Sequence, residues 1–346
     1  MDINGYATLE GTKMYFNKMS VDNSILRRTP WFYTLPIAIG TYLGETKEVH
    51  SELYVDSIIY GLSHGVNYVD TAAIYREMRS EKDIGKALEY LINEKRLIKR
   101  NEIVISSKAG IIDNNYDLGI SCSDYINNII LKEPSIKREN QIIEENQVIY
   151  SIDSALHEFS LKNSMKNLKV STIDIMYIHN PELSMSILKE KEFYNQLQEL
   201  FKFYEQQVKN GRIRFYGMAT WYAFRVGENN PMHISLEKVV SLAKKVGGEG
   251  HHFKFIQMPY NIKNTEASTS KTQKVNNRYV TPIEAANRLD LFVTISSPLN
   301  QCKDFDNSEF DYKKLIDYVI NTKGVYAAMI GSKRRENLIK NMDAIL

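Results

Sequence analysis

The chain is poor in cysteine, and it has no long apolar run and no excess of either charge. Its two cysteines, Cys122 and Cys302, form no CxxC pattern, which excludes a disulfide framework and favours a reducing cytoplasmic compartment. No segment approaches the roughly 18 apolar residues that a membrane helix needs, and residues 1–10 are too polar for a signal peptide. The 44 basic and 42 acidic residues leave a net charge of +2, which gives no electrostatic reason to expect nucleic acid or a membrane as a partner.

The sequence also lacks the usual signals for phosphate loops and metal sites. It contains no glycine-rich loop of the dinucleotide or P-loop type. His251 and His252 are adjacent, so on a strand they would face opposite sides of the sheet and could not hold one ion together. Because no cluster of carboxylates or thiols stands nearby, we expect no metal ion.

What the sequence does contain is a regular alternation of strand-like and helix-like patterns from about residue 36 onward. Short apolar runs typical of buried parallel strands lie at residues 37–41, 66–70, 103–107, 173–178, 213–218, 253–258, 291–296 and 326–330. Amphipathic stretches typical of helices lie at 52–64, 81–91, 152–168, 189–209, 235–246, 282–288, 312–322 and 335–345. Eight such units predict an α/β protein with a closed (β/α)8 TIM barrel.

The chain is expected to form a single domain over residues 1–346, because no Pro-, Gly- or Ser-rich linker divides it. Residues 1–35 would be an N-terminal extension. Two long loops, 109–150 and 259–279, leave the carboxyl ends of the third and sixth strands, where barrel sites are built. Since long loops in compact domains are usually functional or disordered, we expect one or both to help cover a ligand, with residues 114–125 and 263–278 lining its pocket.

Four polar residues stand where a carbonyl-reducing site would need them. Asp70, Lys108 and His179 each end or directly follow a predicted strand, and Tyr75 follows Asp70 in the same connection. A phenol has a pKa of about 10, and the Lys108 ammonium would lower the pKa of Tyr75 toward neutrality. Asp70 would supply the anion that a buried lysine needs, and His179 would donate a hydrogen bond to the substrate oxygen.

Each of the four also has an ordinary explanation. Asp70 could cap a turn, Tyr75 is one of 22 tyrosines, Lys108 could be solvated, and His179 could simply begin a loop. Their common place at one rim of one predicted barrel favours a catalytic site.

The segments around these residues resemble the aldo-keto reductase superfamily. Residues 65–75 (GVNYVDTAAIY), with Ser80-Glu81 and 85–88 (GKAL), are similar to the family signature around its catalytic aspartate and tyrosine. Residues 103–108 (IVISSK) and 173–179 (IDIMYIH) are similar to its lysine and histidine strands; 211–217, 257–261 and 297–299 follow in family order. The resemblance covers most of the chain from about residue 36 to 341. It implies a barrel that binds a nicotinamide cofactor and carries the tetrad Asp70, Tyr75, Lys108 and His179.

The resemblance also implies cofactor contacts, although several positions depart from the family pattern. Gln257 matches the glutamine that binds the nicotinamide carboxamide. Ala219 and Thr220 replace the Ser-Asn pair that usually also binds the carboxamide. One contact with the carboxamide is therefore weakened, or is supplied by the Thr220 hydroxyl. Ser296 replaces the tyrosine that stacks on the nicotinamide in many members, and Arg76 replaces the glycine that commonly follows the catalytic tyrosine.

Other residues would complete the cofactor site. The aromatic ring that stacks on the nicotinamide would come from Tyr260 or Trp221, or such stacking would be absent. Ser332, Lys333 and Arg334 could bind a phosphate at the start of a helix, which favours NADPH over NADH; the alternative is a solvated basic helix start. The full set of cofactor candidates is Gly40, Thr41, Thr220, Gln257, Ser296, Ser297, Leu299, Gly331, Ser332, Lys333, Arg334 and Asn341.

The sequence therefore predicts a cytoplasmic, NADPH-dependent oxidoreductase that reduces an aldehyde or ketone to an alcohol, or catalyses the reverse, with Tyr75 as general acid or base. The alternative is a catalytically weak sensor that binds the nucleotide on the same fold, suggested by the altered cofactor positions. The partner would be a small carbonyl compound or alcohol. Its identity, the physiological direction and the oligomeric state stay open, because fold alone does not fix function.

Overall fold

The computed structural model describes residues 2–144, 148–302 and 312–345. Within these ranges eight parallel strands close into a barrel, each paired with the next in sequence and the last with the first. The strands are β1 Ile37–Gly40, β2 Tyr68–Asp70, β3 Val104–Ala109, β4 Ile173–His179, β5 Ile213–Ala219, β6 Phe253–Pro259, β7 Phe292–Ser296 and β8 Val325–Gly331. The predicted (β/α)8 TIM barrel is confirmed, and no strand end differs from its predicted position by more than two residues.

A helix follows each strand and packs outside the barrel. These helices are α1 Glu48–Ser63, α2 Arg79–Leu88, α3 Ser154–Leu168, α4 Glu190–Lys209, α5 Leu236–Gly247, α6 Pro282–Arg288, α7 Tyr312–Ile320 and α8 Arg335–Asp343. Local chemistry sets their ends: side-chain oxygens of Asp153, Ser235 and Thr281 cap α3, α5 and α6. Gly211, with a φ of 72°, turns the chain from α4 into β5. Across the described ranges, none of the helices has both the length and the apolar character to cross a membrane.

The N-terminal extension closes one end of the barrel. Its helix Leu9–Lys18 buries Tyr15 and Phe16 in the main core, and strands Arg27–Arg28 and Tyr33–Thr34 form a hairpin. The hairpin turn places Trp31 4.1 Å from Phe215, ring centre to ring centre. This aromatic plug fills the mouth at the amino ends of the strands. A ligand site in the barrel must therefore form at the opposite end.

The two long connections predicted from sequence contain regular structure of their own. After β3, strands Ile111–Ile112, Ile142–Ile143 and Ile149–Tyr150 form a small antiparallel sheet beside helix Cys122–Asn128. After β6, helix Glu266–Thr269 precedes the hairpin Gln273–Val275 and Arg278–Val280. The remaining short helices lie at Asn23–Ile25, Glu89–Glu94, Arg100–Glu102, Tyr116–Leu118, Ile130–Lys132, Arg138–Asn140, Glu182–Ile187 and Asn300–Cys302.

A buried histidine ties the first of these connections to the barrel. His157 of α3 is fully buried, with Nε2 3.0 Å from the Ser151 carbonyl and Nδ1 2.7 Å from the Tyr204 hydroxyl. Because the carbonyl can only accept, Nε2 carries the proton and Nδ1 accepts from Tyr204. A second proton on the ring would occupy Nδ1, which could then no longer accept the hydrogen bond from Tyr204. Burial accordingly lowers the pKa of His157 to about 4.

We expect His157 to make the protein less stable in mild acid. Since the unfolded chain takes up this proton at a pKa of about 6.5, it binds more protons than the native state between about pH 6.5 and 4. Stability therefore decreases as the pH is lowered through that window. The loss between about pH 7.5 and 5 should be about 2 kcal/mol. Urea unfolding at both pH values, compared with His157→Gln, measures it. An unchanged pH dependence in that variant would contradict the assignment.

Candidate active site

The carboxyl ends of β2 and β3 carry a buried ion pair. Lys108 Nζ lies 2.7 Å from Asp70 Oδ2, and the two residues are 1% and 3% exposed. Lys108 also donates to the Thr71 carbonyl, and Ser106 donates to Asp70 Oδ1 at 2.6 Å. Burial alone would lower the pKa of Lys108, but Asp70 and Tyr75 outweigh it and raise the pKa. Lys108 is therefore a charged ammonium, paired with the anion predicted from sequence.

Tyr75 lies directly beside this ammonium. Lys108 Nζ is 4.8 Å from the centre of the Tyr75 ring, and the Tyr42 ring packs edge-on against that ring at 5.1 Å. Burial raises the pKa of Tyr75 by more than Lys108 lowers it, so the predicted net direction, toward neutrality, is wrong for this structure. The physical reason is that a phenolate loses its hydration in this position. At neutral pH the phenol keeps its proton, as a general acid must.

His179 completes the group at the end of β4. The centre of its ring lies 6.1 Å from that of Tyr75. Burial, with a smaller contribution from Lys108, lowers the pKa of His179 well below its usual value. The imidazole is therefore neutral and has one N–H to donate. Its Nδ1 has no hydrogen-bond partner among the described residues.

A cavity of about 450 Å³ opens at the carboxyl ends of the strands, above these residues. Asp70, Tyr75 and His179 line it, and Lys108 lies behind Asp70. Eight of the predicted cofactor residues also line it: Gly40, Thr41, Thr220, Gln257, Ser296, Ser297, Leu299 and Gly331. The expectation that residues 114–125 and 263–278 line the pocket is wrong. The insertion instead contributes Ile111 and Tyr150 through its small sheet.

Gln257 and Thr220 offer polar groups to this cavity. Gln257 Nε2 donates to Asp70 Oδ1 at 3.1 Å, which fixes the amide beside this carboxylate and leaves its side-chain carbonyl and second N–H for a ligand. The Thr220 backbone N–H donates to the main-chain carbonyl of Gln257 at 2.9 Å. Within the described part of the chain, the Thr220 hydroxyl oxygen has no partner. It is free to supply the contact that the altered Ser-Asn pair would otherwise lose.

The structure separates the two candidates for stacking. Trp221 lines the cavity, held there because Glu182 accepts the backbone N–H groups of Trp221 and Tyr222. Tyr260 is buried away from the cavity, stacked on Tyr318. Tyr260 is therefore excluded as a stacking residue. Sequence reasoning missed Glu182, although a carboxylate three residues after a histidine at a strand end was a visible signal.

The basic segment after β8 continues from the cavity wall. Gly331 lines the cavity, and Ser332 is fully buried, where it accepts from Asn341 Nδ2 at 2.8 Å and donates to the Ile330 carbonyl. Ser332 and Asn341 thus hold the loop together, and their role as cofactor contacts stays a prediction. Arg334 is exposed at the start of α8.

Lys333 carries a contact that favours an added anion. Its Nζ lies 3.3 Å from His50 Nε2, while His50 Nδ1 lies 2.7 Å from the Glu45 backbone N–H. Both neighbours of the His50 ring are donors, and one imidazole ring cannot accept a hydrogen bond from each of them. Together with the unpaired polar atoms in the cavity, this donor-rich end fits an elongated ligand with a terminal phosphate, such as a dinucleotide. Across the described ranges, no three His, Cys, Asp or Glu side chains meet as a metal ion requires.

Comparisons with known proteins agree with this architecture. The model of the aldo/keto reductase family matches residues 36–262. Aldo-keto reductase YhdN of Bacillus subtilis (strain 168) is 25% identical over 174 residues, 50% of this chain and 41% of that protein, so the match spans less than half the length of that relative.

Two solved structures resemble the fold. An aldo/keto reductase from Klebsiella pneumoniae in complex with NADP and acetate superposes with a TM-score of 0.58 at 17% identity, covering 91% of this chain and 87% of that one. Aldo-keto reductase AKR11C1 from Bacillus halodurans, in its holo form, gives a TM-score of 0.57 at 15% identity, with the same coverage of 91% and 87%.

Proposed function

The chain belongs to the aldo-keto reductase family, and on that premise we propose that it is an NADPH-dependent oxidoreductase, reducing an aldehyde or ketone to an alcohol or catalysing the reverse. One observation carries the proposal. A protonated phenol, Tyr75, and a neutral imidazole, His179, face the same cavity directly above the buried Lys108–Asp70 pair. Such a set can bind a carbonyl oxygen and hand it a proton.

Each side chain has a distinct part in the reaction. His179 donates its N–H to the substrate oxygen and orients it. Tyr75 releases its hydroxyl proton to that oxygen as negative charge builds there. Lys108 then stabilises the phenolate left behind, and Asp70 keeps the lysine charged. When bound, NADPH supplies the hydride that the carbonyl carbon accepts, so that hydride and proton together give the alcohol.

The residues that would hold the cofactor lie along one wall of the cavity and beyond it. Thr220 and Gln257 would bind the carboxamide, and Trp221 would stand in for the missing stacking tyrosine. Lys333 and Arg334, at the start of α8, would bind the 2′-phosphate that distinguishes NADPH from NADH. The Klebsiella pneumoniae relatives, solved with NADP and with NADPH, support this choice.

A binding and turnover experiment tests the proposal. We expect the protein to bind NADPH at least about tenfold more tightly than NADH, because a charge-assisted phosphate contact contributes about 1.5–3 kcal/mol. Lys333→Ala should remove about tenfold or more of the NADPH affinity and change NADH affinity by less than about twofold. Quenching of protein fluorescence gives both dissociation constants. Lys340→Ala, which removes an exposed lysine from the last turn of α8, is the matched control.

Turnover is then screened as NADPH oxidation with a panel of aldehydes and ketones. Reduction of at least one carbonyl, abolished when NADPH is omitted, supports the enzyme. Tight NADPH binding without turnover on any compound contradicts it and favours the sensor instead.

A further inference from the structure

The residue that follows the proposed acid, Arg76, begins a strained turn. Arg76, Glu77 and Met78 have φ values of 52°, 52° and 68°. Three successive residues other than glycine in the left-handed region cost conformational energy, and such a turn persists only where its surroundings hold it. The Tyr75 backbone leads directly into this turn. Whatever holds the turn therefore also fixes where the phenol lies.

The side chain of Arg76 anchors this turn to the elements around it. The residue is 6% exposed, and Nη1 lies 2.6 Å from Asp83 Oδ2 in an ion pair whose two side chains are both buried. Nη2 donates to the Ser51 hydroxyl at 2.9 Å, and Nε donates to the Glu45 carbonyl at 2.9 Å. The guanidinium also lies 4.9 Å from the centre of the Tyr54 ring. All three nitrogens of the guanidinium are thus engaged, by the loop after β1, by α1 and by α2.

The same contacts fix the loop after β1, which packs on Tyr75 from the other side. Alternate carbonyls of this loop are bonded: Thr41 by the Ser80 hydroxyl at 2.7 Å, Leu43 by the Tyr54 hydroxyl at 2.5 Å, and Glu45 by Arg76. Between them lies Tyr42, whose ring meets the Tyr75 ring. Arg76 therefore fixes both the backbone that continues from Tyr75 and the loop that packs against its ring.

We propose that Arg76, through its buried pair with Asp83 and its bond to the Glu45 carbonyl, is a positioning residue that holds the Tyr75 hydroxyl beside Lys108. The inference rests on the proposed function, since it assigns Tyr75 as the acid. A proton donor must meet the substrate oxygen at hydrogen-bond distance, and a displacement of about 1 Å can cost about a hundredfold in rate. Arg76 touches neither the cavity nor the reacting atoms, so its effect is transmitted through Tyr75.

Arg76→Gly is the sharpest test, because glycine accepts the left-handed conformation without strain and only the side chain is lost. We expect kcat to fall by about thirtyfold or more, while the NADPH dissociation constant changes by less than about threefold. Arg76→Lys keeps a positive charge for Asp83 but loses the planar guanidinium. Its kcat should lie between that of the wild type and that of Arg76→Gly. Asp83→Asn, which removes the negative charge that pairs with Arg76, should also lower kcat. This variant tests the same contact if Arg76→Gly does not fold.

A pH profile separates positioning from simple stabilisation. In the direction of alcohol oxidation Tyr75 must first lose its proton, so kcat rises with pH and its midpoint reports the acidity of the phenol. A phenol displaced from Lys108 is stabilised less as its anion, and the midpoint should rise by about half a pH unit or more in Arg76→Gly. Lys86→Ala is the control, since Lys86 is exposed on α2 and pairs with the exposed Glu48. Its kcat and midpoint should match the wild type.

Two results would overturn parts of the account, and they are distinguishable. If the wild type reduces carbonyls and the Arg76 and Asp83 variants lose only melting temperature, with kcat and the midpoint unchanged, Arg76 is structural and the inference is wrong. If the wild type binds NADPH and turns over no substrate, the proposed function itself fails.

Discussion

Replacing Tyr75 by phenylalanine is expected to lower kcat by about a thousandfold while the NADPH dissociation constant stays within about twofold of the wild type. Phenylalanine keeps the ring, so the packing against Tyr42 is retained. What disappears is the only proton that the proposed mechanism gives to the substrate oxygen. Lys108 stays bonded to Asp70 and to the Thr71 carbonyl, so the variant should fold.

Steady-state kinetics with a carbonyl substrate, together with a fluorescence titration of NADPH, measure both quantities. Tyr125→Phe is the matched control: Tyr125 is a buried tyrosine in the insertion after β3, and its hydroxyl reaches Met78 Sδ at 4.0 Å outside the cavity. Its kcat should change by less than about twofold. Should Tyr75→Phe keep more than about a tenth of the wild-type kcat, another group delivers the proton, and His179 becomes the first alternative.

The sequence predicted the barrel and the four catalytic candidates for one reason. In this fold a polar residue directly after an apolar strand lies at the open end of the barrel, so Asp70, Lys108 and His179 could be placed from the pattern alone. Ser106 was within reach of the same logic. It stands two residues before Lys108 on β3, and residues two apart on a strand share a face, which is why both side chains meet Asp70.

Other parts of the site could not be read from sequence, because they depend on contacts between distant segments. Nothing local indicates that Arg76 pairs with Asp83 and bonds to Glu45, or that Trp31 fills the barrel mouth against Phe215. The pocket walls were misplaced because the long insertion folds into a sheet with its own small core, and this sheet turns Ile111 and Tyr150 toward the cavity.

The net pKa of Tyr75 was misjudged for a related reason. The sequence identifies the neighbouring charge, Lys108, but not how far the surrounding side chains remove the phenol from water, and this desolvation has the larger effect on its pKa. The correction suits the proposed chemistry. A phenol that holds its proton at neutral pH is ready to reduce a carbonyl, whereas alcohol oxidation first has to remove that proton, so the oxidation rate depends on pH.

A carboxylate inside an apolar strand gives the largest stability prediction. Asp174 lies within β4 and is fully buried, 2.7 Å from Arg100 Nη2. Its Oδ1 accepts the Ala7 backbone N–H at 2.7 Å, and Oδ2 also accepts the Ile105 backbone N–H at 2.9 Å. One carboxylate thus joins the N-terminal extension, the segment before β3, β3 itself and β4. The sequence carried the signal, since a buried strand admits an aspartate only with buried partners.

Asp174→Ala is expected to lower the free energy of unfolding by about 4 kcal/mol or more. Removing one member of a buried pair costs about 3–5 kcal/mol, because the other charge stays buried without its partner. Two backbone N–H groups also lose their acceptor, at about 1–3 kcal/mol each where no water replaces it. Urea unfolding measures the loss. Glu199→Ala, which breaks an exposed pair with Lys202, is the control and should cost less than about 1 kcal/mol.

A second substitution tests whether charge or the backbone bonds dominate at Asp174. If the unpaired charge of Arg100 is the main cost, the double variant Asp174→Ala with Arg100→Met should regain part of the stability, because an apolar side chain tolerates the site better than an isolated guanidinium. If the unpaired N–H groups of Ala7 and Ile105 dominate, the double variant should be no more stable than Asp174→Ala. A loss below about 1 kcal/mol in the single variant would contradict both explanations.

Asp174 lies toward the plugged end of the barrel, so kcat of the folded protein should be unchanged in either variant. This result would separate the stability of the fold from the chemistry at its open end.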